Sequence, residues 1–281
     1  MDTTLDWFLP YHFYPEVALF AFAGVYLYTT GLIRQRRAGV QVRVWPAISF
    51  YAGVLLIYAM MHTGMDYLAQ YLFAGHRTQH LIIHHHAPLL LVLGGMGRVF
   101  PWALSSSTLA WLRWVGRSPL LVGPWRVVAH PFVAGVLFVG VIFVWMTPEA
   151  HFEVMLDIDL YRAMNVSMVI TGVLFWSVML DPFGRARGGF SFGLRLLLLW
   201  FVMLPQMFLG AYISLVNHEI YDVYDVCGRA FPIAAMTDQR IGGLLTWVPA
   251  AEMMAIVALL VLRLWMREDH EYGRALRERP A

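Results

Sequence analysis

Lysine is absent from this chain: all 20 basic residues are arginine. Cysteine is almost absent. Cys227 stands alone, which excludes an internal disulfide and any CxxC metal or redox motif. Charged residues make up only 14% of the chain, against 59% hydrophobic and 15% aromatic, too little charge for the surface of a soluble domain. No Walker-type loop, Gly-rich dinucleotide fingerprint or GxSxG turn occurs, so no nucleotide is expected. The arginines flank apolar runs and form no nucleic-acid face. Met1 to Tyr14 holds Asp2 and Asp6 but no Lys or Arg, so the basic start of a signal peptide is not apparent.

What is present is a series of apolar runs, each long enough to cross a bilayer as a helix. The expected fold is all-α: one polytopic bundle over residues 1–281, with seven spans at about 16–33, 45–62, 78–99, 128–146, 160–180, 193–216 and 240–265. No stretch between them is long enough for a separate soluble module. Arginine placement predicts the orientation. Arg34, Arg36, Arg37, Arg43, Arg98, Arg113, Arg117, Arg126, Arg185, Arg187, Arg195 and the tail arginines fall on one side. Only Arg77, Arg162, Arg229 and Arg240 fall on the other. The N-terminus is therefore expected outside and the C-terminus in the cytoplasm. The stretch from Ser105 to Trp111 is expected to start a short interfacial helix, with Trp102, Trp111, Trp114 and Trp125 near the headgroups.

Histidine is concentrated in one place. His76, His80, His84, His85 and His86 are five of the eleven histidines, and they run into the apolar segment Leu89 to Leu93. On an α-helix, steps of four turn by about 40°, so His76, His80 and His84 fall within about 80° of arc, while His85 and His86 point elsewhere. If the span begins near Thr78, His84 lies roughly 9 Å along it. An ionisable residue at that depth marks a functional site, and the other reading is that these rings bond carbonyls or line a wet vestibule.

The second span ends in Met60-Met61-His62-Thr63-Gly64-Met65-Asp66. A short connection to the third span is expected to put His62 near His76 or His80, with Asp66 orienting the His62 imidazole. Met61 and Met65 are candidate thioether ligands or simply apolar filler. Thioether with imidazole suits Cu(I); imidazole alone suits Zn(II), Cu(II) or iron. His62, His76, His80 and His84 are thus the candidate metal ligands. Met61, Met65, His85, His86, Asp238 and Cys227 are the candidate additions. Asp238 is equally well read as a helix cap. Two polar residues fall inside spans: Glu252 in the seventh, and Gln206 in the sixth as its expected hydrogen-bond partner.

Several short stretches, in order, resemble the CtaG family of multispanning membrane proteins linked to cytochrome c oxidase assembly. They are His76-xxx-His80 followed by Ala87-Pro88-Leu89-Leu90-Leu91-Val92-Leu93-Gly94, then His130-Pro131, then Gly172-Val173-Leu174-Phe175-Trp176. Met203-Leu204-Pro205 to Leu209-Gly210-Ala211 follows, and Asp238-Gln239-Arg240-Ile241-Gly242-Gly243 to Trp247-Val248-Pro249 closes the series. The resemblance implies a bacterial plasma (inner) membrane protein that supplies copper, expected as Cu(I), to a haem–copper oxidase or helps assemble one. It implies oxidase subunits or other copper proteins as partners, and no enzymatic step. The chain departs from the family pattern twice. Tyr161, Met164 and Asn165 stand where relatives tend to have His and Glu. His84, His85 and His86 stand where relatives are usually apolar. The competing readings are a structural or accessory subunit of a respiratory or copper-enzyme complex, a histidine-box oxygenase, and a haem-binding electron carrier using paired histidines.

Overall fold

The computed structural model describes residues 12–181 and 190–277. No strand occurs among the described residues. Arg185, Arg187, Arg279, Asp2 and Asp6, used above in reading the termini and orientation, lie outside them.

Helix α1 (Pro15–Arg37) opens on a proline at its first turn, where the missing N–H is no loss. Its basic last turn docks on the stretch from Arg98 to Leu104. Arg34 donates to the carbonyls of Trp102 and Leu104, and Gln35 to that of Arg98. Helix α2 (Val44–His62) follows, then the short α3 (Gly64–Tyr71), whose first turn is capped by the Thr63 hydroxyl. Next comes one unbroken helical run: α4 (Phe73–His80), a π-helical stretch (Leu81–His86) and α5 (Ala87–Leu93). It starts and ends earlier than the hydropathy predicts. Gly94 and Gly95 stop it, Gly95 at φ 68. The residues expected to finish this span belong instead to α6 (Met96–Ala103), which packs on α1.

Helices α7 (Ser106–Val115) and α8 (Pro119–Val128) bury no residue and leave Trp111, Trp114 and Trp125 exposed. Helix α9 (Pro131–Met146) has 16 residues, about 24 Å, short of a bilayer core by itself. It meets α8 at 70°, so the expected span 128–146 is a bent pair. Helix α10 (Pro148–Leu156) leads to α11 (Ile158–Met179), capped by Asp157, and then to α12 (Phe192–Leu215), capped by Ser191. Helix α13 (Val223–Cys227) is a single turn, and α14 (Ala235–Arg277) runs beyond the expected end.

Among the described residues five helices are each long and apolar enough to cross a membrane: α1, α2, α11, α12 and α14; a sixth crossing results if α8 and α9 act as one. Their outward faces carry large apolar side chains, with Phe20 at 72%, Phe208 at 73% and Leu259 at 67% exposure, a surface that fits lipid and not water. Inside, α14 lies along α12, α5 packs on α2 and α11, and α4 packs on α14. Among the described residues four apolar clusters result, two of them large. One gathers Phe138, Phe175, Trp176, Val202 and Met254; the other gathers Phe73, Met146, Met168, Tyr221 and Tyr224. The histidine-bearing run passes between both.

Candidate functional site

The first turn of α4 has no local cap, because Leu72 precedes it. Asp238 of α14 supplies one. Its carboxylate accepts from the backbone N–H groups of Phe73 and Ala74, both at 2.9 Å. Arg229 stands 3.7 Å away. The Asp238 side chain is therefore a cap, on a helix far away in sequence, and not a neighbour of the histidine rings. Gln239 beside it accepts from Ile220 N–H and donates to the His218 carbonyl.

One turn on, His76 and His80 pair at 4.2 Å between ring centroids. His151, from α10, meets His76 edge-on at 4.9 Å. All three are buried. Their hydrogen bonding differs. The Trp145 carbonyl at 3.1 Å accepts from His151 Nδ1–H, and His151 Nε2 accepts from Tyr224 hydroxyl at 3.0 Å. That ring is satisfied. Burial pushes it down to about 4, the bond to Trp145 opposing, so it is neutral at pH 7. Among the described residues neither nitrogen of His76, nor Nε2 of His80, makes a well-formed hydrogen bond, although the Ala69 backbone acts on His76 and the Asn165 side chain on His80. Arg77 lies 3.4 Å from His80 Nδ1 and also donates to Thr246 Oγ1 and Met146 Sδ. It is 3% exposed, and no carboxylate among the described residues pairs with it.

Behind His76 lies a polar knot around Asp66. Its carboxylate accepts from Tyr161 (2.8 Å), Gln79 (2.9 Å), Gln70 (2.9 Å) and Tyr14 (3.2 Å). Burial raises this carboxyl above its usual range, and those four donors pull it back. With four donors on it, Asp66 does not orient His62, contrary to the expectation from their spacing. His62 sits instead among Phe13, Tyr14 and Tyr58, with both nitrogens buried and unpartnered. It does not join the His76–His80 pair. Met61 is buried in the adjoining core and Met65 is half-buried. Cys227 is a free thiol at the edge of the same core.

Deeper in the run, His84 stacks on Phe138 at 4.0 Å and meets His85 edge-on at 4.9 Å. His85 Nε2 lies 3.0 Å from Gln206 Oε1. Gln206 is thus the partner of His85 and not of Glu252, which lies on the exposed face of α14. His86 bonds the Leu81 carbonyl five residues back, within its own π turn. Hence the four rings His62, His76, His80 and His84 occupy three separate settings. Among the described residues no three His, Cys, Asp or Glu side chains are grouped to hold a metal ion.

A family profile described as cytochrome c oxidase caa3 assembly factor (Caa3_CtaG) matches residues 26–268. The chain belongs to the Caa3_CtaG family. The matched range holds every histidine discussed above. Relatives include an uncharacterised protein of Mycobacterium leprae, 26% identical over 258 residues, and uncharacterised proteins of Mycobacterium bovis and Mycobacterium tuberculosis, each 25% identical over 266 residues. These alignments cover 86% and 90% of this chain but only 37% and 39% of the relatives, so the chain spans under two-fifths of their length. No solved structure matches.

In this Caa3_CtaG chain the site also uses residues that sequence reasoning did not select: His151, Arg77, Gln79, Tyr161, Asn165, Phe138 and Thr171. One signal was there to read. Tyr161, Asn165 and Met168 recur at steps of four and three on α11, and all three are buried toward the histidines. His151 carried no local pattern, since its partners come from other helices.

Proposed function

We propose that this protein is a membrane assembly factor for a haem–copper oxidase and that it handles Cu(I) through His76 and His80. The full reading is a seven-span bundle with the N-terminus outside and the C-terminus cytoplasmic, in a bacterial plasma membrane. It takes the bent α8–α9 pair and the run from Phe73 to Leu93 as spans. The arginine asymmetry supports that orientation and puts His76 and His80 near the outer surface. Partners are then oxidase subunits or other copper proteins, and no bond in a substrate is made or broken.

The observation that carries the copper reading is the orphaned nitrogens. Two buried rings 4.2 Å apart leave three nitrogens without a well-formed hydrogen bond. Buried polar atoms in that state are expensive unless something binds them. The donor set fits an ion content with two imidazoles, as Cu(I) is, and falls short of the three or four ligands of a zinc or histidine-box iron site. When bound, the ion would supply only its own transfer; the chain's residues hold and release it. Arg77 contributes to release. It competes for His80 Nδ1 and puts a positive charge beside the ion.

The test is copper content of detergent-purified, Cu(I)-loaded protein beside a His76→Ala/His80→Ala variant. The parent is expected to hold copper at this pair and the variant to lose that copper. A folded parent that takes up no copper would leave the accessory-subunit reading in its place. Arg77→Gln is expected to bind Cu(I) at least about tenfold more tightly, read by chelator competition. Unchanged or weaker binding would remove Arg77 from the release step.

A further inference from the structure

We infer that His84 and His85 form a second, deeper site for a soft monovalent cation, specifically Cu(I), with Thr171 and Gln206 fixing both rings in the ligating tautomer. The inference deepens the preceding reading and rests on it only in that the protein meets Cu(I).

The protons of both outer partners are already committed. The Thr171 hydroxyl donates to the Ser167 carbonyl at 2.8 Å, with the Met168 carbonyl at 3.2 Å. Toward His84 Nε2, 3.3 Å away, it therefore presents a lone pair. His84 must carry its proton on Nε2, which leaves Nδ1 as a bare acceptor. The same logic holds next door. Gln206 Nε2 donates to the Val202 carbonyl at 3.0 Å, which turns its Oε1 toward His85. An amide oxygen only accepts, so His85 carries its proton on Nε2 and again leaves Nδ1 bare. Both Nδ1 atoms are buried and have no partner. The two rings lie 4.9 Å apart and both pack on Phe138, at 4.0 and 5.1 Å. Adjacent bare acceptors, each with an outer partner that fixes its tautomer, are what metal-binding imidazoles present.

The surroundings select the ion. Among the described residues His85, His80 and Arg77 act electrostatically on His84, and His86 and Arg77 on His85, with Gln206 as a neutral partner; no carboxylate is among them. Without a counter-charge, a divalent ion would suffer far more than a monovalent one from losing its hydration. Zinc also wants four ligands. Cu(I) needs two neutral nitrogens and tolerates an apolar wall, here Phe138 and Phe175 stacked at 4.3 Å. A divalent-metal enzyme site does not fit. Neither does a solvated vestibule, because His84 is 0% and His85 3% exposed. The pair lies one to two turns further along the run than His80 and is placed to take an ion after the His76–His80 pair.

The experiment uses the full chain in detergent, loaded anaerobically with Cu(I) and washed with a bidentate Cu(I) chelator. Copper per chain is measured in the parent, in His76→Ala/His80→Ala, in His84→Leu/His85→Leu, and in Thr171→Val/Gln206→Leu. Each protein is checked for unchanged helicity and elution. The parent is expected to hold two copper ions and each histidine double variant one. Thr171→Val/Gln206→Leu, which keeps every histidine, is expected to weaken the second ion by tenfold to a hundredfold, the usual effect of removing an outer partner. If His76→Ala/His80→Ala binds nothing while the parent binds one, the second site is wrong and the first reading stands. A parent with one copper that is lost only in His84→Leu/His85→Leu keeps this site and overturns the first. Full affinity for the second ion in Thr171→Val/Gln206→Leu would overturn the tautomer argument whether or not the leucine variant folds.

Discussion

Asp238→Ala is expected to destabilise the folded protein by about 2 to 4 kcal/mol, among the largest single-site effects outside the cores. Two terms add. A capping side chain replaced by alanine costs roughly 0.5–2 kcal/mol. Here the cap serves two donors, Phe73 N–H and Ala74 N–H, in a setting where Asp238 itself is 1% exposed, so water does not replace it. The carboxylate also faces the positive end of α4 and the Arg229 guanidinium. Asp238→Asn keeps one acceptor oxygen and loses the charge, so it is expected to fall between. The check is the thermal unfolding midpoint in detergent, with the order Asp, Asn, Ala. An alanine variant within about 0.5 kcal/mol of the parent would show that the contact carries no weight. The functional reading gives the cap a second consequence. Without it the first turn of α4 frays, and His76 is in that turn's successor. Copper binding at His76 and His80 is therefore expected to weaken even in molecules that remain folded.

Much of this fold is legible in the residues. The helices at expected spans one, two, five and six are uninterrupted and apolar, and hydropathy finds them within a few residues because nothing competes with it; the seventh is found too, but its helix runs on past the apolar stretch to Arg277. The third and fourth fail for local reasons. Hydropathy cannot register that Gly94-Gly95 ends a helix whose apolar run continues into Met96 and Val99. Nor does it register that Pro131 starts a new helix at 70° to the one before. At the site, spacing alone identified the His76–His80 pair, since i and i+4 lie on one face of α4. It failed at His84 for a definite cause: the wheel assumes an α-helix throughout, and the chain there is π-helical. It failed for His62, Asp66, Gln206 and Glu252 because each partner choice is tertiary. Asp66 is taken by donors from three other elements, and Gln206 by a ring on a different helix from the one that carries Glu252. The position of Asp238 in sequence fits a cap or a site residue equally, and only the fold shows that it caps α4.

Gly172→Val is the second change with a large expected effect, about 3 kcal/mol or more, and Pro88 explains why. In an α-helix, Pro88 would lack an N–H for the His84 carbonyl and its ring would collide with that carbonyl. The π turn from Leu81 to His86 widens the helix just before Pro88, with Ala87 N–H bonded to the Ile82 carbonyl instead. The His84 carbonyl is thus left outside the usual ladder and comes against α11 at Gly172. A Cβ there would run into the His84 carbonyl and lie 2.8 Å from the Pro88 ring. Both are parts of the backbone frame and have no rotamer to move. Alanine should already be harmful and valine much worse. Gly140→Val, where nothing lies within 4 Å of the added Cβ, serves as the control and is expected to be mild. The unfolding midpoint in detergent measures all three. If Gly172→Val is as mild as Gly140→Val, the two helices can part without loss, and the π turn is not held from α11. If it is severe, the close approach at Gly172 is what brings Thr171, its neighbour, to His84 Nε2. The same change should then remove the second copper ion at His84 and His85 while leaving His76 and His80 loaded, which ties the kinked span to the chemistry of its histidines.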